Sequence, residues 1–309
     1  MASRARRPDS STFGRKPSTP GKLPVAEPTS PKQFLMMLLM HVCRKILLVN
    51  INAKIGLYAI CVTAVSLVTD IFPPPPSYFS NRYNFLNQYF VKLGWGWTLL
   101  VLGNFIAVSS YTYCCGNMQL VKRHLSRLVA GTFWWYVCTS VFLYVDDWTG
   151  ACQFGDELDY RSKRDCIKAG FVWTGFDISG HTFLLMHNLL IISEETRVLG
   201  CWDKITEFIK MEEEAPTGKI TLGDFEKLKS VVVEYKVYFR VSVVVLTLLQ
   251  ILWEIMLLAT VLYFHNMPSK LLAACFAVVP WYLTYHVWFK IEEISPGLPG
   301  TGPIRLIKN

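Results

Sequence analysis

Val241-Ser-Val-Val-Val-Leu-Thr-Leu-Leu-Gln-Ile-Leu-Trp-Glu-Ile-Met-Leu-Leu-Ala-Thr-Val-Leu-Tyr-Phe264 carries one charged side chain, Glu254, in an otherwise apolar run. A membrane-spanning helix needs about 20 predominantly apolar residues, and this segment has them. Five further stretches read the same way, near 48–70, 95–114, 128–145, 181–199 and 271–289. The expectation is an all-α polytopic membrane protein with six transmembrane helices. A chain that is 52% hydrophobic and 17% charged fits that class better than a soluble domain. The first stretch carries Asn50, Asn52 and Lys54 near its start, so its apolar part begins at Ile55, and Pro73 to Pro76 close it.

Residues 1–41 read as a disordered basic cytosolic tail, rich in Ser and Pro, with no apolar core before Phe34 and no cleavable signal. Residues 42–300 form the membrane domain, and 301–309 a second short tail. Arg4, Arg6, Arg7, Arg15, Lys16, Lys22 and Lys32 place the N-terminus in the cytosol, and six spans return the C-terminus there. Lys122, Arg123 and Arg127 agree, as do the many lysines between Arg197 and Arg240. The net charge of +8 needs no nucleic-acid partner, because anionic headgroups on the cytosolic leaflet account for it. Within the cytosolic loop 200–240, Trp202, Ile205, Phe208 and Ile209 share one side, the pattern of an amphipathic helix resting on the membrane.

This orientation sets two histidines on the non-cytosolic side. Ser179-Gly180-His181 opens the fourth span, with Ser179 as a helix cap beside which the first-turn amides open towards His181. His265 lies in the tight turn between the fifth and sixth spans, whereas His286 closes the sixth span at the opposite face. Two imidazoles on one aqueous face suit covalent phosphoryl transfer: one attacks phosphorus while the other protonates the leaving oxygen. Asn188, seven residues below His181, is a candidate support. Glu254 is costly in mid-span and either lines a polar cavity below His265 or bonds to a neighbouring helix. No familiar metal-ligand spacing occurs, although Asp146, Asp147, Asp156, Asp159 or Asp177 could join the histidines. Cys152 and Cys166 share the far-side loop and could form a disulfide, and Cys114-Cys115 could be acylated.

Tyr78-Phe-Ser-Asn-Arg-Tyr-Asn-Phe-Leu-Asn-Gln-Tyr-Phe-Val-Lys92, Gly175-Phe-Asp-Ile-Ser-Gly-His-Thr-Phe-Leu-Leu185, Trp253-Glu254, Tyr263-Phe-His265 and Ser295-Pro-Gly-Leu-Pro299 together resemble the fat storage-inducing transmembrane protein family. The resemblance covers about residues 42–300. It implies a multi-pass endoplasmic reticulum protein with both ends cytosolic, a lipid-phosphatase-like bundle, lumenal histidines and a role in lipid droplet formation. The implied activity is cleavage of the diphosphate of fatty acyl-coenzyme A (acyl-CoA), with no cofactor, His181 as general acid and His265 as nucleophile. Phe183-Leu184-Leu185 is linked by the same resemblance to lipid partitioning.

The wider phosphatase pattern has Pro before Ser-Gly-His, where this chain has Ile178, and Asp four residues after the second histidine, where it has Ser269. Its Arg before that histidine is also absent. Arg82, Lys92, Arg161, Lys163, Arg164, Lys168 and Lys270 lie on the correct side to neutralise phosphate, and nothing in the sequence chooses among them. The rival expectation is a non-enzymatic protein that binds triacylglycerol or diacylglycerol through apolar grooves near Phe183 to Leu185. A weaker third is a transporter relaying protons through Glu254 and His265.

Overall fold

The computed structural model describes residues 30–153, 162–216, 218, 220–291 and 293–304. Two compact units divide the chain after Leu38, and the second, Leu39–Asn309, holds the helical bundle. The helices are α1 (Pro31–Leu47), α2 (Ile51–Ile60) and α3 (Ser66–Ile71), the latter two continuous through a π turn, then α4 (Gly94–Tyr113), α5 (Met118–Leu125) and α6 (Arg127–Thr149). After these come α7 (Lys163–Lys168), α8 (Gly180–Glu195), α9 (Asp203–Glu214), α10 (Leu222–Glu234), α11 (Lys236–Tyr263) and α12 (Met267–Tyr282). One small antiparallel ribbon, β1 (Ala151–Gln153) with β2 (Val172–Thr174), pairs Cys152 with Trp173. α1 begins inside the stretch expected to be tail; residues 1–29 lie outside the described residues.

By length and composition four helical stretches among the described residues could cross a membrane: Ile51–Ile71, Met118–Thr149, Lys236–Tyr263 and Met267–Lys290. The other two expected spans are helices of a different character. α4 has the length, but its Gly, Trp, Thr, Asn, Ser and Tyr residues dilute its apolar content. α8 is 16 residues, roughly 24 Å at 1.5 Å per residue, short of a 30 Å hydrocarbon layer.

α8 is instead the centre of the bundle. Every residue from Thr182 to Glu195 except Leu184 is buried, polar side chains included, so the helix is covered by its neighbours on all sides. It packs on α12, α11, α4 and α6. Close approach on the α6 side needs Gly131, where a Cβ would fall 2.8 Å from the Trp95 ring and 3.0 Å from Ile191. The Gly131 carbonyl accepts from His187 Nε2 at 3.1 Å, so that histidine is a structural side chain of the core. Polar groups inside the bundle find partners on neighbouring helices: Trp253 Nε1 donates to Thr98 Oγ1 at 3.0 Å, and Lys54 Nζ to Ser193 Oγ at 3.1 Å. Glu254 accepts from Tyr58 Oη at 3.3 Å and Gln250 Nε2 at 3.1 Å, which is the neighbouring-helix alternative of the two readings.

At the end of α8 away from His181 lies a polar cluster. Arg127 holds Glu195 bidentately, with Nε to Oε1 at 2.7 Å and Nη2 to Oε2 at 2.6 Å, both side chains 1% exposed. Tyr285 adds a hydrogen bond to Glu195 at 2.8 Å. Arg127 also donates to His124 Nδ1, which leaves Nε2–H of His124 to donate to the Thr301 carbonyl at 2.9 Å. His286 meets Glu194 at 3.2 Å. α9 lays its apolar side on the bundle, with Trp202 stacked on Phe239 at 3.7 Å and Ile205 buried, rather than leaving it free for lipid. Cys152 and Cys166 are disulfide-bonded and tie β1 to α7.

Removing one partner of a buried ion pair strands the other, at a cost of about 3–5 kcal/mol, whereas replacing both is far milder. Arg127→Met is therefore expected to lower stability by about that amount. The Arg127→Met/Glu195→Met double variant recovers most of the loss. Thermal unfolding in detergent micelles reads both, and a single variant as stable as the double contradicts the pairing.

Candidate active site

Two short polar motifs build the site. Ser179, fully buried, caps α8 by accepting from Thr182 N at 3.3 Å, and this cap sets His181 in the first turn. Asn266 caps α12 by accepting from Ser269 N at 3.3 Å, so the one-residue link preceding it, His265, must reverse the chain. His265 does so at φ 54°, a left-handed conformation that costs a non-glycine residue about 1–2 kcal/mol.

The surroundings hold this turn from three directions. The Asp70 carboxylate at the end of α3 accepts from Met267 N at 2.7 Å. Lys270, 1% exposed, spans the turn and donates to the Val261 carbonyl at 2.8 Å. Ser179 N donates to the Ser269 carbonyl at 3.4 Å, joining the start of α8 to the start of α12. That bond, with the packing of α8 on α12, sets His181 and His265, distant in sequence, at the same end of the bundle. Strained backbone persists only where its surroundings over-determine it, and here they do.

The Asp177 carboxylate lies 3.5 Å from His265 Nδ1. It faces Nδ1, which favours the tautomer with the proton there and leaves the Nε2 lone pair free. His265 and Lys92 lie close enough to act on His181 electrostatically, as do Asp177 and Arg82. On His265 the charges that act are Asp177, Arg82 and Lys270. Burial holds the His265 pKa below the ordinary histidine value, Arg82 and Lys270 push the same way, and Asp177 opposes them.

Of the seven expected phosphate neutralisers, Arg164 and Lys168 on α7 are not among the charges that act on either ring. Arg82 acts on both rings and Lys92 on His181. Lys163 is committed to Asp146, Lys270 is buried on a carbonyl, and Arg161 lies outside the described residues. Asn188 does not reach His181; it is fully buried beside Gly94, with neither amide atom partnered. No group of three or more potential ligands is placed to hold a metal among the described residues. Phe183 and Leu185 are fully buried, with Phe183 edge-on to Phe142 at 5.2 Å, so they serve the core rather than an open groove. Sequence reasoning treated Asp177 only as a possible metal ligand and Asp70 not at all. The one available signal for Asp177 was its place four residues before His181.

Helical bundle and site together define an integral membrane protein with a cation-rimmed histidine pair at one end. Residues 75–285 match the family model described as fat storage-inducing transmembrane protein. Acyl-coenzyme A diphosphatase FITM2 of Drosophila melanogaster is 37% identical over 296 residues, covering 91% of this chain and 69% of its own. Acyl-coenzyme A diphosphatase FITM2 of Homo sapiens is 38% identical over 243 residues, 76% of this chain and 82% of its own. The protein of the same name from Xenopus laevis is 37% identical over 238 residues, 76% and 81%. No solved structure matches. The chain belongs to the fat storage-inducing transmembrane protein family, as its motifs implied.

Carbethoxylation by diethyl pyrocarbonate follows the neutral fraction of an imidazole. Its midpoint for His265 is expected below 6.5, the ordinary value, and lower still in Asp177→Asn, which removes the one charge that raises it. Peptide mapping across a pH series measures this; a midpoint at or above 6.5, or a rise in the variant, contradicts the assignment.

Proposed function

We propose that this chain is a membrane hydrolase that cleaves the diphosphate of fatty acyl-CoA to acyl 4′-phosphopantetheine and adenosine 3′,5′-bisphosphate. The observation that carries the reading is the pairing of His265 Nδ1 with Asp177 beside His181, in a family whose relatives are named acyl-coenzyme A diphosphatases. His181 and His265 are the catalytic residues. His265 Nε2 attacks one phosphorus, and the bond from that phosphorus to the bridging oxygen breaks. His181, charged once the negative diphosphate lies beside it, gives its proton to the departing phosphate oxygen. Water then attacks the phosphohistidine; His181, now neutral, takes a proton from it, and the P–N bond breaks to regenerate His265. Arg82 and Lys92 neutralise the diphosphate.

The orienting Asp absent four residues after the second histidine is supplied from the other side, by Asp177. That substitution restores the partner which the bare sequence pattern lacked. The setting we propose is the endoplasmic reticulum membrane, crossed six times, with both termini cytosolic, the histidine pair lumenal and lipid droplet formation as the cellular outcome. α4 and the short buried α8 then cross within the bundle, α8 shielded from lipid by its neighbours.

A second reading, binding of neutral lipid without chemistry, is favoured by one observation. Between α6 and α12 an apolar groove of ≈340 Å³ is lined by Trp134, Val137, Cys138, Leu272 and Phe276 among others. Its walls offer nothing to bind phosphate, so it suits a glyceride or the acyl chain of the substrate.

Purified protein incubated with oleoyl-CoA separates the two. His181→Ala is expected to lower kcat about 10²–10⁴-fold, the contribution of a positioned general acid. His265→Ala is expected to remove turnover. Undiminished turnover in either variant overturns the mechanism, and wild type that releases no adenosine bisphosphate favours lipid binding alone. A cysteine in place of the exposed Pro268 is expected to react with an impermeant maleimide only from the lumenal side. Labelling from the cytosol refutes the orientation.

A further inference from the structure

Beside His265, on the side away from α8, the end of α3 and the Pro73–Pro76 run enclose a cavity of ≈280 Å³ against the end of α11. Its lining includes Thr69, Asp70, Pro74, Ser80, Tyr263 and His265 itself. The volume sits near the lower limit of small-molecule sites, about 300–1,000 Å³, so it suits part of a large substrate rather than the whole.

The lining has two characters. Proline rings, Leu262 and the Tyr263 ring offer flat apolar surface. On the other side Asp70 offers carboxylate oxygens, while the Thr69 and Ser80 hydroxyls already donate to the Ser66 and Ser77 carbonyls. Asp70 accepts one backbone bond, from Met267 N, and a carboxylate has about four acceptor sites, so it can take further donors. Its negative charge disfavours phosphate in this cavity. The cations that act on the histidines, Arg82 and Lys92, are where phosphate belongs. A purine matches these walls: its faces are apolar and polarisable, and its edge presents an amino donor that a carboxylate accepts.

We propose that this cavity seats the adenine of acyl-CoA, against Tyr263 and the proline rim with its amino edge towards Asp70, while the ribose and its 3′-phosphate stay outside, on the side of the cations. The proposal rests on the diphosphatase reading and deepens it. It gives the substrate a direction through the site. The adenine lies beside the α3–α11 wall, the diphosphate spans His265 and His181, and the acyl pantetheine leaves towards the bundle. Cleavage then opens the two halves to separate exits, the nucleotide to water and the lipid to the membrane.

The cavity also explains why the turn at His265 is pinned by Asp70 in particular. The same carboxylate that fixes the nucleophile's backbone through Met267 N would meet the leaving nucleoside. Occupancy of the cavity is thereby mechanically continuous with the position of the attacking ring.

The test compares oleoyl-CoA with an oleoyl-pantetheine diphosphate capped by a methyl group in place of the nucleoside. Wild type is expected to prefer oleoyl-CoA, chiefly through KM, by roughly 5- to 150-fold, the range that stacking of a base on an aromatic ring supplies. Tyr263→Ala, which removes the stacking surface, and Thr69→Trp, which fills the cavity from α3, are each expected to bring the two kcat/KM values towards equality. Inhibition by adenosine 3′,5′-bisphosphate is expected to weaken in both. The two variants act through different helices, so a folding defect in one leaves the other decisive. Equal KM for the two substrates in wild type, or an undiminished preference in the folded variants, overturns the cavity assignment while leaving the diphosphatase reading intact. Failure of wild type to cleave either substrate overturns the activity instead.

Discussion

The backbone bond from Ser179 N to the Ser269 carbonyl fixes the first turn of α8 against the first turn of α12, and the site depends on that contact. Each partner is the residue that a helix start makes available. Ser179 is a cap, whose side chain serves Thr182, and Ser269 is in the turn capped by Asn266. Two capping motifs, meeting end to end, bring two imidazoles together without any side chain having to cross the gap. The extensive packing of α8 on α12 below them keeps this meeting in register.

A helix as buried as α8 can carry polar groups only if the bundle supplies partners, since each unsatisfied group in an apolar medium costs several kcal/mol. Ser193 meets Lys54, His187 meets the Gly131 carbonyl, and Glu195 meets Arg127 and Tyr285. Asn188, with both amide atoms unpartnered, and His187 Nδ1 are exceptions. The result is a helix anchored by ionic contacts at one end and free to present chemistry at the other. Strain at His265, held by Asp70, Lys270 and Ser269, belongs to the same division of labour.

Much of this was legible beforehand. Apolar runs are a local property of the chain, so the positions of α4, α6, α8, α11 and α12 followed from sequence, as did the Ser179 cap and the two histidines. The Cys152–Cys166 bridge was one of the alternatives and is the one observed. What sequence could not show is long-range. The Asp177–His265 contact joins residues 88 apart, 265 less 177, and apart from the place of Asp177 four residues before His181 nothing marks it. The Arg127–Glu195–Tyr285 cluster draws on three separate helical segments, so its members read singly as ordinary charged or aromatic residues. The amphipathic stripe of α9 was correctly seen as apolar on one side, but whether that side meets lipid or Phe239 depends on a packing partner far along the chain.

In the proposed mechanism His265 is the nucleophile, with Asp177 facing Nδ1 and Nε2 left to attack. Rapid acid-free denaturation of protein turning over oleoyl-CoA, followed by peptide mass spectrometry, tests it directly. The expected result is a phosphoryl-linked adduct on the peptide that contains His265, stable to base and lost in acid, and absent from His265→Ala. An adduct on His181, or turnover with no covalent adduct under conditions that trap phosphohistidine, would contradict it.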